Sequence, residues 1–386
     1  MIRQYSAPRR VNGLDTLRAA AIALVLMYHY AVVVSGRPTF GFLTTIGWTG
    51  VDLFFVLSGY LIGNQIMSPL ALGERFSLKT FFARRLLRTL PNYYFVLSLY
   101  FLFPALLGGS NTASIWQFLS FTQNIGLHFG ETFTHSWSLC IEEQFYLILP
   151  LVAVMIATLP GSLRWAWLAL GAAVIAGMAL RGMVWVEFGR NLMTSPDFSS
   201  HIYYSSFARF DELLPGVAIA MLKNFRCKQY AQITAKGNTL LACGMSMFAA
   251  TAYLFTNYQE IDGYGYSFLV MTFGYPLLAT SFGLLTLSAL SENSLLNRLR
   301  VPGAEKLALW SYAVYLVHKP MFKVLIAPLE SWGVDINAPA AIAIIMLLSL
   351  LGGWLVYRLV ETPFMTLRAR WFQVNRDKRG NTYLAS

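Results

Sequence analysis

The sequence predicts an all-α membrane protein, a polytopic bundle of about ten transmembrane helices with both termini in the cytoplasm. Of the 386 residues, 56% are hydrophobic and only 12% are charged, and the mean hydropathy is +0.53. Apolar runs of roughly 17 to 25 residues, each long enough to cross a hydrocarbon core of about 30 Å, recur along nearly the whole chain. We expect one transmembrane domain over residues 1–386, ending in a short basic cytoplasmic tail at about 362–386.

The apolar runs leave no stretch for a soluble domain. Their approximate bounds are 14–35, 46–66, 88–107, 137–158, 164–181, 204–222, 239–256, 266–289, 307–327 and 338–360. The first run has Asp15 and Arg18 near its start and lacks a cleavage site of small residues. These features favour a retained helix over a signal peptide.

The basic residues are unevenly distributed between the predicted loops. The formal net charge is +11, with 29 Lys and Arg against 18 Asp and Glu. When the loops are assigned alternately to the two sides of a membrane, most of these basic residues fall on the side of the N-terminus. Cytoplasmic loops carry such an excess. Topology therefore explains the positive charge, and we expect no nucleic-acid partner.

Neither the cysteines nor the loop histidines have the spacing of a metal site. The cysteines are Cys140, Cys227 and Cys243. The histidines in predicted loops are His128, His135 and His201. Since no Cys or second His accompanies these histidines at ligand spacing, we expect no metal ion and no disulfide framework.

The first predicted helix carries an arginine and a histidine on one face. Arg18 and His29 are separated by about 20° beyond three whole turns and by a rise of about 16 Å. Asp15 lies one turn before Arg18, and we expect an ion pair between them. Ionisable groups in a membrane helix are costly unless they face a partner or a water-filled cavity, so His29 and Arg18 are functional candidates. The alternative for His29 is a structural hydrogen bond between helices.

Four other predicted helices carry polar groups at about the depth of His29 in the membrane or closer to its outer face. They are Asp52 in the second helix, Ser138, Glu142, Glu143 and Tyr146 in the fourth, Arg209, Asp211 and Glu212 in the sixth, and Ser311, Tyr315 and His318 in the ninth. So many intramembrane polar groups favour a reactive site over a purely structural bundle. Structural alternatives stay open, namely capping by Asp52, helix packing by Glu143, and a helix interruption at His318.

A basic cluster lies at the cytoplasmic end of the third predicted helix. It consists of Arg84, Arg85 and Arg88. Guanidinium groups bind phosphate through paired hydrogen bonds, so the cluster is a candidate site for a polyanion. Anchoring to lipid phosphates is the ordinary alternative.

Taken together, these segments resemble the acyltransferase-3 family of bacterial integral membrane acyltransferases. In chain order they are GLDTLRAAAIALVLMYH with Arg18 and His29, GVDLFFVLSGYLI with Asp52 and Ser58, FFARRLLRTLPNYY with Arg84, Arg85, Arg88 and Tyr93, SWSLCIEEQFY with Trp137, Ser138 and Glu142, FARFDELLPG with Arg209, SYAVYLVHKP with Ser311, Tyr315 and His318, and VETPF with Glu361 and Pro363. The resemblance covers most of the chain. The number of core helices that it implies agrees with the number of apolar runs given above.

The resemblance implies a multi-pass O-acyltransferase of the bacterial plasma membrane. It would move an acyl group, by default acetyl, from cytoplasmic acyl-coenzyme A to a hydroxyl of a surface glycan or glycan precursor. Acyl-coenzyme A is then a donor substrate rather than a tightly bound cofactor. The other expected partners are membrane lipids and a carbohydrate or lipid-linked carbohydrate acceptor. Some relatives carry a fused extracytoplasmic hydrolase-like domain; without one, we expect direct acylation or transfer through a separate extracytoplasmic transferase.

Within this interpretation the candidate residues take distinct roles. The predicted donor site consists of Arg18, Arg84, Arg85 and Arg88, with the pantetheine arm threaded along the face of Arg18. His29 is either the base that deprotonates the acceptor or a nucleophile that is itself acylated. Glu142 or Asp52 would orient its ring. Further substrate-binding candidates are Trp137, Ser138, Arg209, Tyr315 and His318.

Two other classes of protein fit part of the pattern. A transporter or flippase of a glycan intermediate also has about ten helices and intramembrane charges, although no paired interrupted helices appear in corresponding halves. A noncatalytic scaffold for glycan assembly would not need His29. Release of coenzyme A that depends on donor and acceptor separates an enzyme from both.

Overall fold

The structure, a computed structural model, describes residues 10–108, 113–188, 193–261 and 265–382, with side chains described as far as residue 372. Residues 383–386 of the predicted basic tail lie outside the described residues. From Thr362 to Thr382 the predicted tail is helical.

Long helices make up most of the described chain. They are α1 Asn12–Tyr30, α2 Thr49–Ala71, α3 Leu78–Leu102, α4 Trp137–Ala157, α5 Ser162–Phe188, α6 Leu214–Phe225, α7 Gly237–Tyr258, α8 Tyr275–Leu290, α9 Ala304–Ser331, α10 Pro339–Val356 and α11 Thr362–Thr382. Each predicted apolar run overlaps one of the helices α1 to α10. The predicted all-α fold is confirmed.

Shorter segments connect the long helices. Single turns and short helices are Phe42–Thr45, Pro104–Leu107, Ile115–Leu119, Thr134–Ser136, Ser195–Phe198, Ser206–Arg209, Phe210–Leu213, Cys227–Thr234 and Leu295–Arg298. Segments of π-helix are Ala31–Ser35, Ser199–Tyr203, Val270–Gly274 and Tyr357–Glu361. The antiparallel strands β1 Glu260–Ile261 and β2 Gly265–Tyr266 pair with Glu260 opposite Tyr266.

Several helices have the length and apolar character of membrane spans. Among the described residues, 7 helical stretches meet both conditions. They are Asn12–Ser35, Thr49–Ala71, Thr134–Ala157, Ser162–Phe188, Gly237–Tyr258, Val270–Leu290 and Pro339–Phe372. The chain is a multi-pass membrane protein. Helix α6, with 12 residues, is shorter than the roughly 20 residues that a span requires, so the count of about ten and the location of the termini stay predictions.

Helices α2 and α6 pack with their backbones in direct contact. A Cβ atom on Gly59 would lie 2.0 Å from the carbonyl oxygen of Leu213, and one on Gly216 would lie 2.1 Å from that of Val56. Only a hydrogen atom fits at either position, which is how small residues let membrane helices approach closely. The contact fixes α2, the helix that carries Asp52 and Ser58.

A buried cluster of charges joins α2, α5 and the segment before α6. Arg181 donates to both carboxylate oxygens of Asp211, at 2.8 and 2.7 Å. Arg209 donates to Oδ1 of Asp52 at 2.8 Å and also to Glu212. These five residues are 2% exposed or less. Three rings surround the guanidinium of Arg209, those of Trp137, Tyr203 and Tyr275.

Candidate functional site

Three histidines from distant parts of the sequence meet inside the bundle. Nδ1 of His29 on α1 lies 2.9 Å from Nε2 of His318 on α9. The ring of His135, in the turn before α4, is centred 5.1 Å from that of His318 and 6.3 Å from that of His29. The two predicted residues, His29 and His318, are therefore direct partners.

Backbone carbonyls determine which ring nitrogens carry protons. Nδ1 of His318 lies 3.2 Å from the carbonyl oxygen of Val314. A carbonyl oxygen only accepts, so Nδ1 of His318 carries a proton, and in the neutral ring Nε2 accepts. Nδ1 of His29 then donates to that nitrogen, which leaves Nε2 of His29 with an unshared electron pair. This is the tautomer that a general base requires.

His135 is the residue of this cluster that the sequence analysis placed in a loop and set aside. It is 2% exposed, and its Nε2 lies 3.1 Å from the carbonyl oxygen of Leu316. Its Nδ1 is buried and has no hydrogen-bond partner among the described residues. The 3₁₀ turn Thr134–Ser136 directs the ring inward. One sequence signal was available, since His135 lies two residues before the candidate Trp137.

His29 and His135 border a cavity of about 180 Å³, which we call the histidine cavity. Its polar lining includes His29, His135, Lys319, Thr134, Ser199 and Gln259. Its aromatic lining consists of Tyr28, Trp48, Phe129, Trp137, Phe198, Tyr203, Tyr204 and Tyr275. Flat aromatic faces with a few convergent polar groups are typical of a site for a small organic ligand.

A second cavity of about 220 Å³, the arginine cavity, lies toward the beginning of α1. Its charged lining consists of Arg18, Arg85, Arg88, Glu142 and Glu143. Its hydroxyl lining consists of Ser58, Thr89, Ser138, Tyr146, Ser311, Tyr312 and Tyr315. Helical pitch predicted that Arg18 and His29 both face inward, and each lines one of the two cavities.

Two of the arginines in this cavity lack carboxylate partners in the described part of the chain. Neither Arg18 nor Arg88 has a carboxylate oxygen within 4.0 Å. The expected ion pair between Asp15 and Arg18 is wrong, because Asp15 accepts from Nε of Arg10 at 2.7 Å. Arg10 also donates to Glu305 at 2.5 Å. Two guanidinium groups are thus available to an anion.

Arg85 belongs to a charge network within the same cavity. It lies 3.7 Å from Glu142 and 3.5 Å from Glu143. Its guanidinium is 3.8 Å from the ring centre of Tyr146. Glu142 accepts hydrogen bonds from the hydroxyls of Tyr146, at 2.6 Å, and Ser58, at 3.3 Å. Glu142 therefore faces the arginine cavity.

The structure separates some residues that the sequence analysis had grouped. Neither Glu142 nor Asp52 hydrogen-bonds His29, because Asp52 binds Arg209 and the partner of the His29 ring is His318. The guanidinium of Arg84 lies 4.6 Å from the ring centre of Phe372, and Arg84 is absent from the lining of the arginine cavity. The partners of these side chains come from distant parts of the sequence, so the spacing of residues within one helix could not predict them.

A thin wall divides the two cavities, in place of the single channel expected between Arg18 and His29. The hydroxyl of Tyr315 donates to the carbonyl oxygen of His135 at 2.5 Å. The hydroxyl of Ser138 lies 2.6 Å from the same Tyr315 oxygen and so donates to it. Val51 lines both cavities. At Val51 a single residue therefore separates the two cavities.

The described residues contain no group of three or more His, Cys, Asp or Glu side chains arranged to hold a metal ion. Nε2 of His135 and both nitrogens of His318 face a backbone carbonyl or another ring of the cluster, as does Nδ1 of His29.

Comparison with known proteins assigns the chain to a family. The profile of the acyltransferase-3 family, described as an acyltransferase domain, matches residues 11–358. The chain belongs to the acyltransferase-3 family. The resemblance noted from the sequence is therefore confirmed over nearly the whole chain.

Curated proteins similar to this chain include O-acetyltransferases. The O-acetyltransferase OatA of Staphylococcus aureus (strain NCTC 8325 / PS 47) is 29% identical over 398 residues, covering 98% of this chain and 61% of the relative. The peptidoglycan O-acetyltransferase OatA of Listeria monocytogenes is 28% identical over 379 residues, covering 92% of this chain and 55% of the relative. The chain thus spans less than two thirds of these relatives. No solved structure matches it.

Proposed function

We propose that this acyltransferase-3 protein is an O-acyltransferase of the bacterial plasma membrane that moves an acyl group from cytoplasmic acyl-coenzyme A to a hydroxyl of a cell-envelope glycan. Acetyl is the group named for its relatives, and peptidoglycan is the acceptor named for one of them. The observation that carries the proposal is the hydrogen bond between His29 and His318. This hydrogen bond leaves Nε2 of His29 free to act as a base at the histidine cavity. Arg18 and Arg88, which have no carboxylate partner among the described residues, line the neighbouring arginine cavity.

The arginine cavity is the proposed donor site. Arg18 and Arg88 lack carboxylate partners in the described part of the chain, and they would bind the phosphates of coenzyme A through charge-assisted hydrogen bonds. The thioester would then reach the wall formed by Ser138 and Tyr315. Both hydroxyls line the arginine cavity, and each already donates its one proton, Ser138 to Tyr315 and Tyr315 to the carbonyl oxygen of His135. Rotation of the Ser138 hydroxyl away from Tyr315 would free its proton for the acyl carbonyl oxygen, where donors stabilise an oxyanion.

The histidine cavity is the proposed acceptor site. With the side chains of Ser138 and Tyr315 turned aside so that the acyl group reaches the histidine cavity, Nε2 of His29 takes the proton of the acceptor hydroxyl, and the hydroxyl oxygen forms a bond to the acyl carbon. The carbon–sulfur bond breaks, and coenzyme A leaves as a thiolate. The thiolate takes up the proton that His29 accepted from the hydroxyl. General-base catalysis of this kind accelerates a reaction by about 10² to 10⁴-fold. His318 orients the ring through its neighbouring nitrogen.

The test uses the full chain in lipid nanodiscs with acetyl-coenzyme A and a glycan acceptor. Free thiol measures donor cleavage, and mass spectrometry of the glycan measures ester formation. We expect His29→Gln to lower acyl transfer at least 100-fold while the unfolding temperature and donor binding stay unchanged. His201→Gln is the matched control, since His201 is exposed and its Nδ1 contacts only Ser200 and Asp197 among the described residues.

Two outcomes would overturn the proposal. One is transfer by His29→Gln at the wild-type rate. The other is movement of the glycan across a liposome membrane without acyl donor and without ester formation, which would assign the chain to the transporter class.

A further inference from the structure

We propose that the histidine cavity selects an acidic sugar, and that Lys319 binds its anionic group. This inference rests on the proposed function and names the class of acceptor. The side chain of Lys319, on α9, lines the same cavity as His29 and His135. An acceptor bound there would place its negative charge close to the reacting hydroxyl.

Like Arg18 and Arg88 in the arginine cavity, Lys319 has no anionic partner among the described residues, whereas three other interior cations do. Arg181 and Arg209 pair with carboxylates at 2.7 and 2.8 Å, and Arg85 lies between two glutamates. In the described part of the chain, Lys319 has no carboxylate oxygen within 4.0 Å and makes no hydrogen bond. It is nevertheless only partly exposed.

An unpaired cation at the wall of a partly buried cavity is energetically unfavourable until an anion joins it. Inside a membrane protein such a residue is a candidate for ligand binding, with the missing partner supplied by the ligand. Among the described residues, the lining of the histidine cavity contains no Asp or Glu that would compete for Lys319. A carboxylate or phosphate on the acceptor satisfies this requirement.

His135 provides a second, independent contact for a sugar. Its Nε2 faces the carbonyl oxygen of Leu316, so in the neutral ring Nδ1 carries an unshared pair. That nitrogen is buried without a partner among the described residues, and the ring lines the cavity. A ligand hydroxyl would satisfy it once a small rotation of the ring brings Nδ1, which is closed to solvent in the structure, toward the cavity. Sugars carry several hydroxyls, so one can face His29 while another donates to His135.

The shape of the cavity agrees with a small cyclic ligand. Its volume of about 180 Å³ corresponds to roughly six water molecules at about 30 Å³ each. The rings of Trp48, Trp137 and Tyr275 are part of its lining. One sugar ring with an acidic substituent combines the apolar faces, the hydroxyls and the charge that this lining accommodates.

The experiment compares three acceptors that differ only in one substituent. They are an oligosaccharide with a uronic acid, the same oligosaccharide with that carboxylate converted to a carboxamide, and a version with a phosphate ester there. The full chain in nanodiscs is used, with KM and kcat for each acceptor measured by coenzyme A release. We expect KM for the carboxamide to be at least tenfold higher than for the better of the two acidic acceptors.

The substituted proteins assign the preference to Lys319. Lys319→Gln should remove the preference for the acid while leaving KM for the carboxamide unchanged, and Lys319→Arg should keep most of it. Lys323→Gln is the matched control, because Lys323 lies one turn further along α9 and is absent from the lining of the cavity. Calorimetric titration of each acceptor without donor supplies a binding readout that does not depend on turnover.

Equal use of the acid and the carboxamide by the wild type would overturn the inference and leave the proposed function intact. An equal loss of both acceptors in Lys319→Gln, with the preference retained, would also overturn it. If instead no acceptor is acylated while binding of the acid still depends on Lys319, the proposed function fails and the anion site stands. The acidic acceptor with the lower KM identifies the substituent as a carboxylate or a phosphate.

Discussion

Nδ1 of His29 and Nε2 of His318 lie 2.9 Å apart and join α1 to α9 across 289 residues of sequence. The carbonyl oxygen of Val314 accepts a hydrogen bond from Nδ1 of His318, so the proton of His318 lies on Nδ1. Nε2 of His318 then accepts from Nδ1 of His29, which places the proton of His29 on that nitrogen. One backbone oxygen thereby determines which nitrogen of His29 is free to accept a proton.

The first prediction concerns the orientation of His29. His318→Ala removes the acceptor for Nδ1 of His29, so the ring loses its preferred tautomer, and we expect kcat for acyl transfer to fall by about 10² to 10⁴-fold. His318→Gln retains a side-chain oxygen that can accept the same hydrogen bond, and it should restore part of the rate. An unchanged kcat in His318→Ala, with normal thermal unfolding, would contradict the role.

The second prediction concerns the donor site. Arg18→Ala and Arg88→Ala each remove a guanidinium without a carboxylate partner in the described residues. The loss of about 1.5–3 kcal/mol per charge-assisted contact corresponds to a rise of roughly 10- to 100-fold in KM for acyl-coenzyme A. Arg298→Ala is the control, because Arg298 is exposed and contacts Glu292 and Asn293 far from the cavity. A donor KM that stays at the wild-type value would exclude the arginine cavity as the phosphate site.

The third prediction concerns the contact between α2 and α6. Gly59→Ala introduces a methyl group 2.0 Å from the carbonyl oxygen of Leu213. Because backbone cannot move aside as a flexible side chain does, we expect a loss of about 1–3 kcal/mol or more in stability. Gly171→Ala in α5 meets nothing within 4 Å and should be neutral or stabilising by up to about 1 kcal/mol. Thermal unfolding in detergent compares the two, and equal midpoints would refute close packing at Gly59.

The fourth prediction concerns the buried pair of Arg181 and Asp211. Arg181→Met leaves the carboxylate of Asp211 buried without its partner, and we expect a loss of about 3–5 kcal/mol. The double substitution Arg181→Met with Asp211→Leu removes both charges and should recover most of this loss. Denaturation of the two proteins in the same detergent measures the difference. If the double variant were as unstable as the single one, the pair would not account for the stability.

The helices and the direction of two site residues could be predicted from the sequence. Long apolar runs define membrane helices because the bilayer requires about 20 such residues. The pitch of one helix fixed the relation between Arg18 and His29, since both residues lie on α1. These predictions depend on residues close in sequence, where geometry is local.

Contacts between distant segments account for the differences. Asp52 pairs with Arg209, 157 residues later, so its position in α2 could not reveal that it faces a buried cation rather than His29. His135 enters the cluster through a turn outside any regular helix, where periodicity carries no information. Arg10 displaces Arg18 as the partner of Asp15 because Arg10 also reaches Glu305 on α9.

The wall made by Ser138 and Tyr315 matters for a protein in a membrane that maintains ion gradients. Water and ions cross a bilayer wherever an uninterrupted polar path connects its faces, and the cell then dissipates its gradients. Here the hydroxyls of Ser138 and Tyr315 line the arginine cavity and are hydrogen-bonded to each other and, through Tyr315, to the backbone of His135, a residue that lines the histidine cavity. Only the transferred group has to pass from one cavity to the other, so a reaction at this wall does not require an open path for water and ions through the protein.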